Sequence, residues 1–412
     1  MTSAGTAGEL SGSARRCPTR TPFPWRPAAG RRGTSRRSSR CSCSASYSPS
    51  APPSSQACSA TWKRSQESCN PLEVRTMAEA SPEDKNHTTL ALDIGGTWIR
   101  AAAVTHDGML LGVRKQANPP TGSATEILAL CAQLADEAWA ASPVPPLGLG
   151  VSTTGPVNPR TGVLYDPPNT PAGFSGLPLG QYLREQLDLA VVVDRDTNAA
   201  ALAEQRFGAA RGCTDFVYLT VSTGIGAAVI ADGELLRGAD GAAGELGHAV
   251  VAPDGPVCGC GRRGCLEAVA AGPAIGRAAD QYARANPGSG LAQLRDSLGG
   301  TPLRGHHVGA AALDGDPDAR KILAAVGAAV VSSIVDIVNV FNPQRVVLGG
   351  GVAMAQPNWI EEANDALRQS ALQPASETAR VVPTELGDNG GLLGAALLLD
   401  QPDHGARHRR RE

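Results

Sequence analysis

The chain of 412 residues is long enough for two or three domains, and its 42% hydrophobic share with only 4% aromatic suits globular cores built on Ala, Val and Leu. No run of eighteen apolar residues occurs, so no membrane-spanning helix and no membrane partner is expected. The net charge of −2 conceals two unlike parts: residues 1–76 carry twelve Lys+Arg against three Asp+Glu, and the remaining 336 carry twenty-five against thirty-six.

The basic leader is dominated by Arg, Ser, Pro and Ala, lacks apolar periodicity, and holds five of the ten cysteines, at 17, 41, 43, 58 and 69. Such a composition cannot bury enough apolar surface to fold, so residues 1–87 are expected to be a disordered leader. Three readings compete for it: an Arg- and Ser-rich transit peptide, a basic arm for nucleic acid, or a segment ahead of a native start at Met77. Met77 opens MAEASPEDKNH, an ordinary polar lead into the first strand, and this favours the third reading. The body is cytosolic in character, with cysteines disposed for metal rather than disulfides, so a cytoplasmic location is expected.

The body opens with TTLALDIGGTWIRAAAV (residues 88–104), which reads as strand, glycine turn, strand. A Gly95-Gly96-Thr97 turn exposes backbone N–H groups that can cradle a phosphate, and an ordinary diglycine hairpin accounts for it equally well. Residues 123–141 place Ile127, Leu130, Leu134 and Ala138 on one helical face. Residues 147–152 form a short buried strand, followed by two loops rich in turn formers. In the second of these, prolines at 167, 168 and 171 stiffen the backbone around Asn169. VVVDRDTNAAALAEQRF (191–207) is a strand running straight into an Ala-rich helix. Asp196 or Thr197 would be its N-cap, although an acid at a strand's C-terminal end is also where α/β folds place chemistry.

DFVYLTVSTGIGAAVI (215–230) repeats the first design, with Thr223, Gly224, Ile225 and Gly226 at the turn. Two such hairpins suggest a duplicated fold that grips one nucleotide from both sides. Between them and the C-terminus lies GELGHAVVAPDGPVCGCGRRGCLEAVAAG (244–272). His248, Cys258, Cys260 and Cys265 would fill a tetrahedral shell, the mark of a structural zinc site. Small buried or redox cysteines are the alternative. Glu245 and Glu267 flank these residues, so the metal would hold both carboxylates as fixed acceptors for a polyol, and its loss is expected to leave the glycine loops untouched. Further on come a long Ala/Val-rich helix from 320 to 341, the strand and triple glycine RVVLGGGVAM, LGDNGGLLGAALLL, and a basic tail at 401–412.

GELGH, CGCGRRGC and CLEAVAAG together resemble the ROK family of repressors and sugar kinases, and further ROK-like motifs recur in order between residues 90 and 399. The resemblance implies two α/β domains of the actin/hexokinase-like ATPase fold, ribonuclease H-like and duplicated, with a cleft between them. The small domain would span 88–193, completed by a closing helix at 389–400, and the large one 194–388 with the zinc. It further implies ATP phosphates on Gly95, Gly96, Thr97, Thr223, Gly224 and Gly226, adenosine near Gly349, Gly350 and Gly351, and magnesium near Asp93. Asp196 matches the family's catalytic base. Asn169, Arg195, Glu245, His248 and Glu267 would meet the sugar, and zinc would sit on His248, Cys258, Cys260 and Cys265. Arg195 departs from the family's usual Asn: it only donates, where Asn also accepts. Phe174 replaces a frequent Trp. The expected activity is transfer of phosphate from ATP to a hexose 6-hydroxyl, with glucose first and N-acetylmannosamine or N-acetylglucosamine second, in a homodimer. A sugar-responsive transcriptional regulator is the rival. It would need a DNA-binding domain, and residues 1–76 show no pair of amphipathic helices, so no nucleic-acid partner is expected.

Overall fold

The computed structural model describes residues 87–119, 122–165 and 172–401. The first apolar run becomes β1 (Thr88–Ile94), which turns back as antiparallel β2 (Trp98–Thr105) and β3 (Leu110–Ala117). Helix α1 (Ala124–Trp139) then leads to β4 (Leu149–Thr153), parallel to β1. A short hairpin of β5 (Val157–Asn158) and β6 (Val163–Leu164), followed by α2 (Leu179–Leu187), separates β4 from parallel β7 (Val191–Arg195). The sheet order is β3-β2-β1-β4-β7. Strands β1 and β4 are buried on both faces, which is why they read as unbroken apolar runs rather than alternating ones. In β1 only Asp93 escapes full burial.

The chain then repeats the plan. Helix α3 (Asp196–Phe207) precedes β8 (Phe216–Val221), β9 (Ile225–Ala231) and β10 (Glu234–Leu235). After the cysteine-bearing loop come α4 (Leu266–Ala270), α5 (Gly272–Ala285), α6 (Gly290–Ser297), α7 (Gly305–Leu313) and α8 (Pro317–Phe341). The last elements are β11 (Arg345–Gly349), α9 (Gly351–Met354), α10 (Asn358–Ser370), α11 (Ala375–Thr378), β12 (Arg380–Pro383) and α12 (Gly390–Leu397). The second sheet runs β10-β9-β8-β11-β12, the same antiparallel trio extended by two parallel strands.

Helix α8 starts where Asp316 accepts from the N–H groups of Asp318 and Ala319 ahead of Pro317, and stops at left-handed Asn342. By length and composition it could cross a membrane, at a mean hydropathy of 2.0, although no unbroken apolar run betrays it. Here its face of Leu323, Val326, Val330, Ile334 and Ile337 packs against α4, α5, α7 and α10. Gly327 leaves room for the buried Trp359 indole of α10.

The two halves exchange their last helices. α3 follows the first sheet yet packs on β8 and β9, while α12 follows the second and lies on β1, β2 and β4. The helices touch directly: a Cβ on Gly394 would overlap the Ala199 carbonyl oxygen, and one on Gly150 would overlap that of Ala395. Buried Glu204 of α3 accepts from Ala209 N at 2.7 Å, from Glu385 N and Leu386 N at 3.2 Å, and from the Thr384 hydroxyl. It thereby pins the loop entering α12. The five cysteines among the described residues are free thiols.

Candidate active site and metal centre

Strand β7 ends in Asp194 and Arg195, and α3 begins at once with Asp196. Arg195, not Asp196 or Thr197, holds the N-cap position, without a side-chain cap. Asp196 is instead the first helical residue, with Oδ1 accepting the Thr197 N–H at 2.7 Å. Burial, and then the nearby Asp93 carboxylate, push the Asp196 carboxyl up to about 6. It is therefore mostly ionised at neutral pH, yet basic enough to take a proton from an attacking hydroxyl. Asp93 is fixed by Arg100, at 2.5 Å from Nη2 and 3.0 Å from Nε, and by the Ser152 hydroxyl at 2.9 Å. Arg100 is the residue opposite Asp93 across the β1–β2 hairpin. The turn length alone could have revealed this pair, which sequence reasoning missed.

Arg195 is only 4% exposed. Its guanidinium donates to Glu245 Oε1 at 2.6 Å, to Asn198 Oδ1 at 3.2 Å and to the Ala243 carbonyl, while its buried Nε–H finds no partner among the described residues. Behind it, Asp194 takes Arg237 Nε at 2.6 Å, Asn198 Nδ2 at 2.7 Å and Arg195 N at 2.8 Å. A buried ion pair broken on one side leaves an uncompensated charge, so this network fixes the strand end rigidly.

Glu245 leads from Arg195 to the metal-type cluster, since its Oε2 lies 4.0 Å from His248 Nε2. The other ring nitrogen, Nδ1, is 3.5 Å from Cys258 Sγ, and Cys260 Sγ is 3.7 Å from Cys265 Sγ. All four ligand atoms lie within 4.8 Å of one another. Tetrahedral zinc with bonds of about 2.0–2.3 Å needs ligand–ligand edges of roughly 3.5–3.8 Å, so the donor set and its spacing fit that ion. The loop closes through Cys258 N–H to Arg262 O at 2.7 Å and Gly261 N–H to Cys258 O at 2.9 Å. Gly264, at φ +69°, sits so near Ala252 that a side chain would overlap its carbonyl.

Two glycine turns complete the site. In the first, Gly95 N–H donates to Trp98 O at 2.9 Å, and Asn118 braces it by donating Nδ2–H to Gly95 O at 2.8 Å. Gly96, Thr97 and Trp98 are exposed, with Lys115 Nζ 4.7 Å from the Trp98 ring centre. In the second, Ser222 N–H donates to Gly224 O at 2.9 Å, and Gly226 packs against α3 so closely that a Cβ would lie 2.7 Å from Thr197 Cγ2. Glu267 Oε2 accepts the Ile225 N–H at 3.0 Å. The metal-bearing segment thus holds the second glycine turn directly, a contact the sequence reading did not foresee. Gly350, at φ +90°, lies against the Val221 carbonyl. Beside it opens a cavity of about 1080 Å³, lined by Ser222, Thr223, Gly272 and Gly351, and by Arg277, Arg304 and His306 of the α5–α7 region. These last three carry no motif and were not foreseen. Asn169 lies outside the described residues.

The sequence profile described as the ROK family matches residues 89–402. The chain belongs to the ROK family. A ROK relative named glucokinase, from Streptomyces coelicolor, is 32% identical over 322 residues, covering 76% of this chain and 98% of the relative. An N-acetylmannosamine kinase from Escherichia coli O139:H28 is 33% identical over 316 residues, again 76% and 98%. Among solved ROK structures, the Streptomyces griseus glucokinase in complex with glucose and AMPPNP is 34% identical with a TM-score of 0.63, over 76% of this chain and 98% of that one. A ROK transcriptional regulator homologous to the E. coli MLC protein is 27% identical with a TM-score of 0.67, over 77% and 78%. The two-half α/β architecture is accordingly that of the actin/hexokinase-like ATPases.

Proposed function

We propose that the protein is an ATP-dependent kinase that phosphorylates a hexose at its 6-hydroxyl, with glucose as the first candidate. The observation that carries this reading is the Asp196 carboxyl, raised to about 6, at the end of β7 between Asp93 and the Arg195–Glu245 pair. In the proposed reaction Asp196 accepts the proton of the sugar hydroxyl as that oxygen attacks the γ-phosphate. Backbone N–H groups around Gly95–Thr97 and Thr223–Gly226 cradle the phosphates, and the cavity beside Gly349–Gly351 takes the adenosine. Phosphoryl transfer asks mainly for such positioning and charge neutralisation. Arg100 takes both lone pairs of Asp93 Oδ2, whereas Oδ1 keeps one beyond its bond from Ser152 and would hold magnesium, which supplies charge neutralisation at the phosphates. His248, Cys258, Cys260 and Cys265 would hold zinc, whose chemistry here is to fix Glu245, His248 and Glu267 for the sugar hydroxyls.

The relatives support a kinase and include both glucokinases and N-acetylmannosamine kinases. The regulator among the neighbours shares the fold, so fold alone does not decide activity. An ADP-release assay over ten hexoses and N-acetylhexosamines, run beside a gel shift on fragmented genomic DNA, tests the proposal. Sugar-dependent ADP release is expected. Retarded DNA with no sugar-dependent release would replace the kinase by a regulator.

A further inference from the structure

Residues 222–226, the second glycine turn, are gripped on several sides by the segment that carries the metal-type cluster. Helix α4 starts directly after Cys265, and Glu267 in its first turn bonds the Ile225 N–H at 3.0 Å. The carboxylate lies against the turn itself, since a Cβ on Gly224 would be 2.8 Å from Glu267 Oε2. The carbonyl of Ile225 faces Gly247, which lies between Glu245 and His248 and is so close that any side chain would overlap that oxygen. At the far end of α4, Gly272 N–H donates to Ser222 O at 2.8 Å. The same Ser222, Thr223 and Gly272 line the large cavity.

We propose that Glu267 is a positioning residue that couples sugar binding to nucleotide binding, a reading that rests on the kinase function above. One carboxylate oxygen holds the Ile225 peptide and the other receives a sugar hydroxyl. A bound sugar then orders Glu267, Glu267 orders the turn at 223–226, and the turn presents its N–H groups to the nucleotide. A coupling of this kind is reciprocal, and couplings between two sites on one protein are commonly about 5-fold to 150-fold in affinity.

The test is calorimetry with Mg·AMPPNP, with and without saturating sugar, on the full chain and on Glu267→Ala and Glu267→Gln. The sugar is glucose, or N-acetylmannosamine where that is the sugar turned over. In the unaltered protein the sugar is expected to tighten the analogue at least about 5-fold. Glu267→Ala should abolish that gain and weaken the analogue even without sugar. Glu267→Gln keeps a carbonyl acceptor for Ile225, so its sugar-free affinity should stay near the original while the gain shrinks. Amide exchange of residues 222–226 in the unaltered protein gives a readout that needs no variant to fold, and sugar should slow it. A sugar affinity that falls in Glu267→Ala with the coupling unchanged would reduce Glu267 to a sugar contact and overturn the proposal, as would exchange at 222–226 indifferent to sugar. Turnover without coupling sinks this inference alone, whereas absence of any sugar binding sinks the kinase reading and this one with it.

Discussion

Asp196 and Arg195 are neighbours in the chain with opposite tasks. Replacing Asp196 by Asn removes the acceptor for the hydroxyl proton, and turnover should fall about a hundredfold to ten-thousandfold with sugar binding retained. Near-normal turnover would remove Asp196 as the base. In the unaltered protein kcat/KM should rise with pH through about 6 and then level, as this carboxyl ionises. Its folded pKa lies above the ordinary 3.8, so between about 4 and 6 the folded protein keeps a proton that the unfolded chain has lost. Stability from this group therefore falls as pH rises through that window. Asp196→Asn should melt higher than the parent at pH 7 and gain little at pH 4, and a gain independent of pH would contradict the burial argument. Arg195→Asn releases Glu245 and introduces the residue that the family resemblance led one to expect there. The ratio of kcat/KM for glucose over N-acetylmannosamine should change at least about tenfold, one bond's worth of discrimination. An unchanged ratio would leave Arg195 a purely structural residue.

At the scale of elements, the parts legible in the sequence were those whose partners are close in the chain. The glycine hairpins, the strand-to-helix step at 191–207 and the cysteine loop each declare themselves within some twenty residues. What could not be read were bonds across long separations: Arg195 to Glu245, Glu267 to Ile225, Glu204 to residues 384–386, and the cavity side chains Arg277, Arg304 and His306, which belong to no motif. The crossing of α3 and α12 came from the family resemblance alone, which put 194–388 in the large domain and a closing helix at 389–400 on the small one; no local pattern of residues announces it. Glu204→Ala would strip the acceptor from the buried Ala209 N–H and from three part-buried donors at 384–386, and a buried orphaned donor costs about 1–3 kcal/mol. Urea denaturation should show a loss of at least about 3 kcal/mol, and a loss below about 1 kcal/mol would deny Glu204 its pinning role. For the cysteine loop, Cys260→Ser should release the proposed zinc and lower the melting temperature, because structural zinc carries local folding energy. Sugar affinity should fall as well, and analogue affinity with it, since Glu267 joins the two. Unchanged sugar affinity after verified zinc loss would detach the metal from the sugar site.

At the scale of the molecule, two sheets of the same order and two exchanged helices place Asp196, Asp93 and the glycine turns where the halves meet. The family match begins at residue 89, and contacts divide the chain between Thr76 and Met77. A chain starting at Met77 should therefore keep the melting temperature and turnover of the full one, and loss of either would give residues 1–76 a part in the fold. The central claim is that this meeting place moves a phosphoryl group from ATP to a sugar with Asp196 as base. The most direct measurement is phosphorus NMR of Mg·ATP incubated with the protein, with and without its preferred sugar, for the parent and for Asp196→Asn. A sugar-phosphate resonance that grows with ADP in the parent, only when sugar is present, and is nearly absent in Asp196→Asn is the predicted result. Inorganic phosphate released without sugar phosphate, or equal sugar phosphate from both proteins, would contradict it.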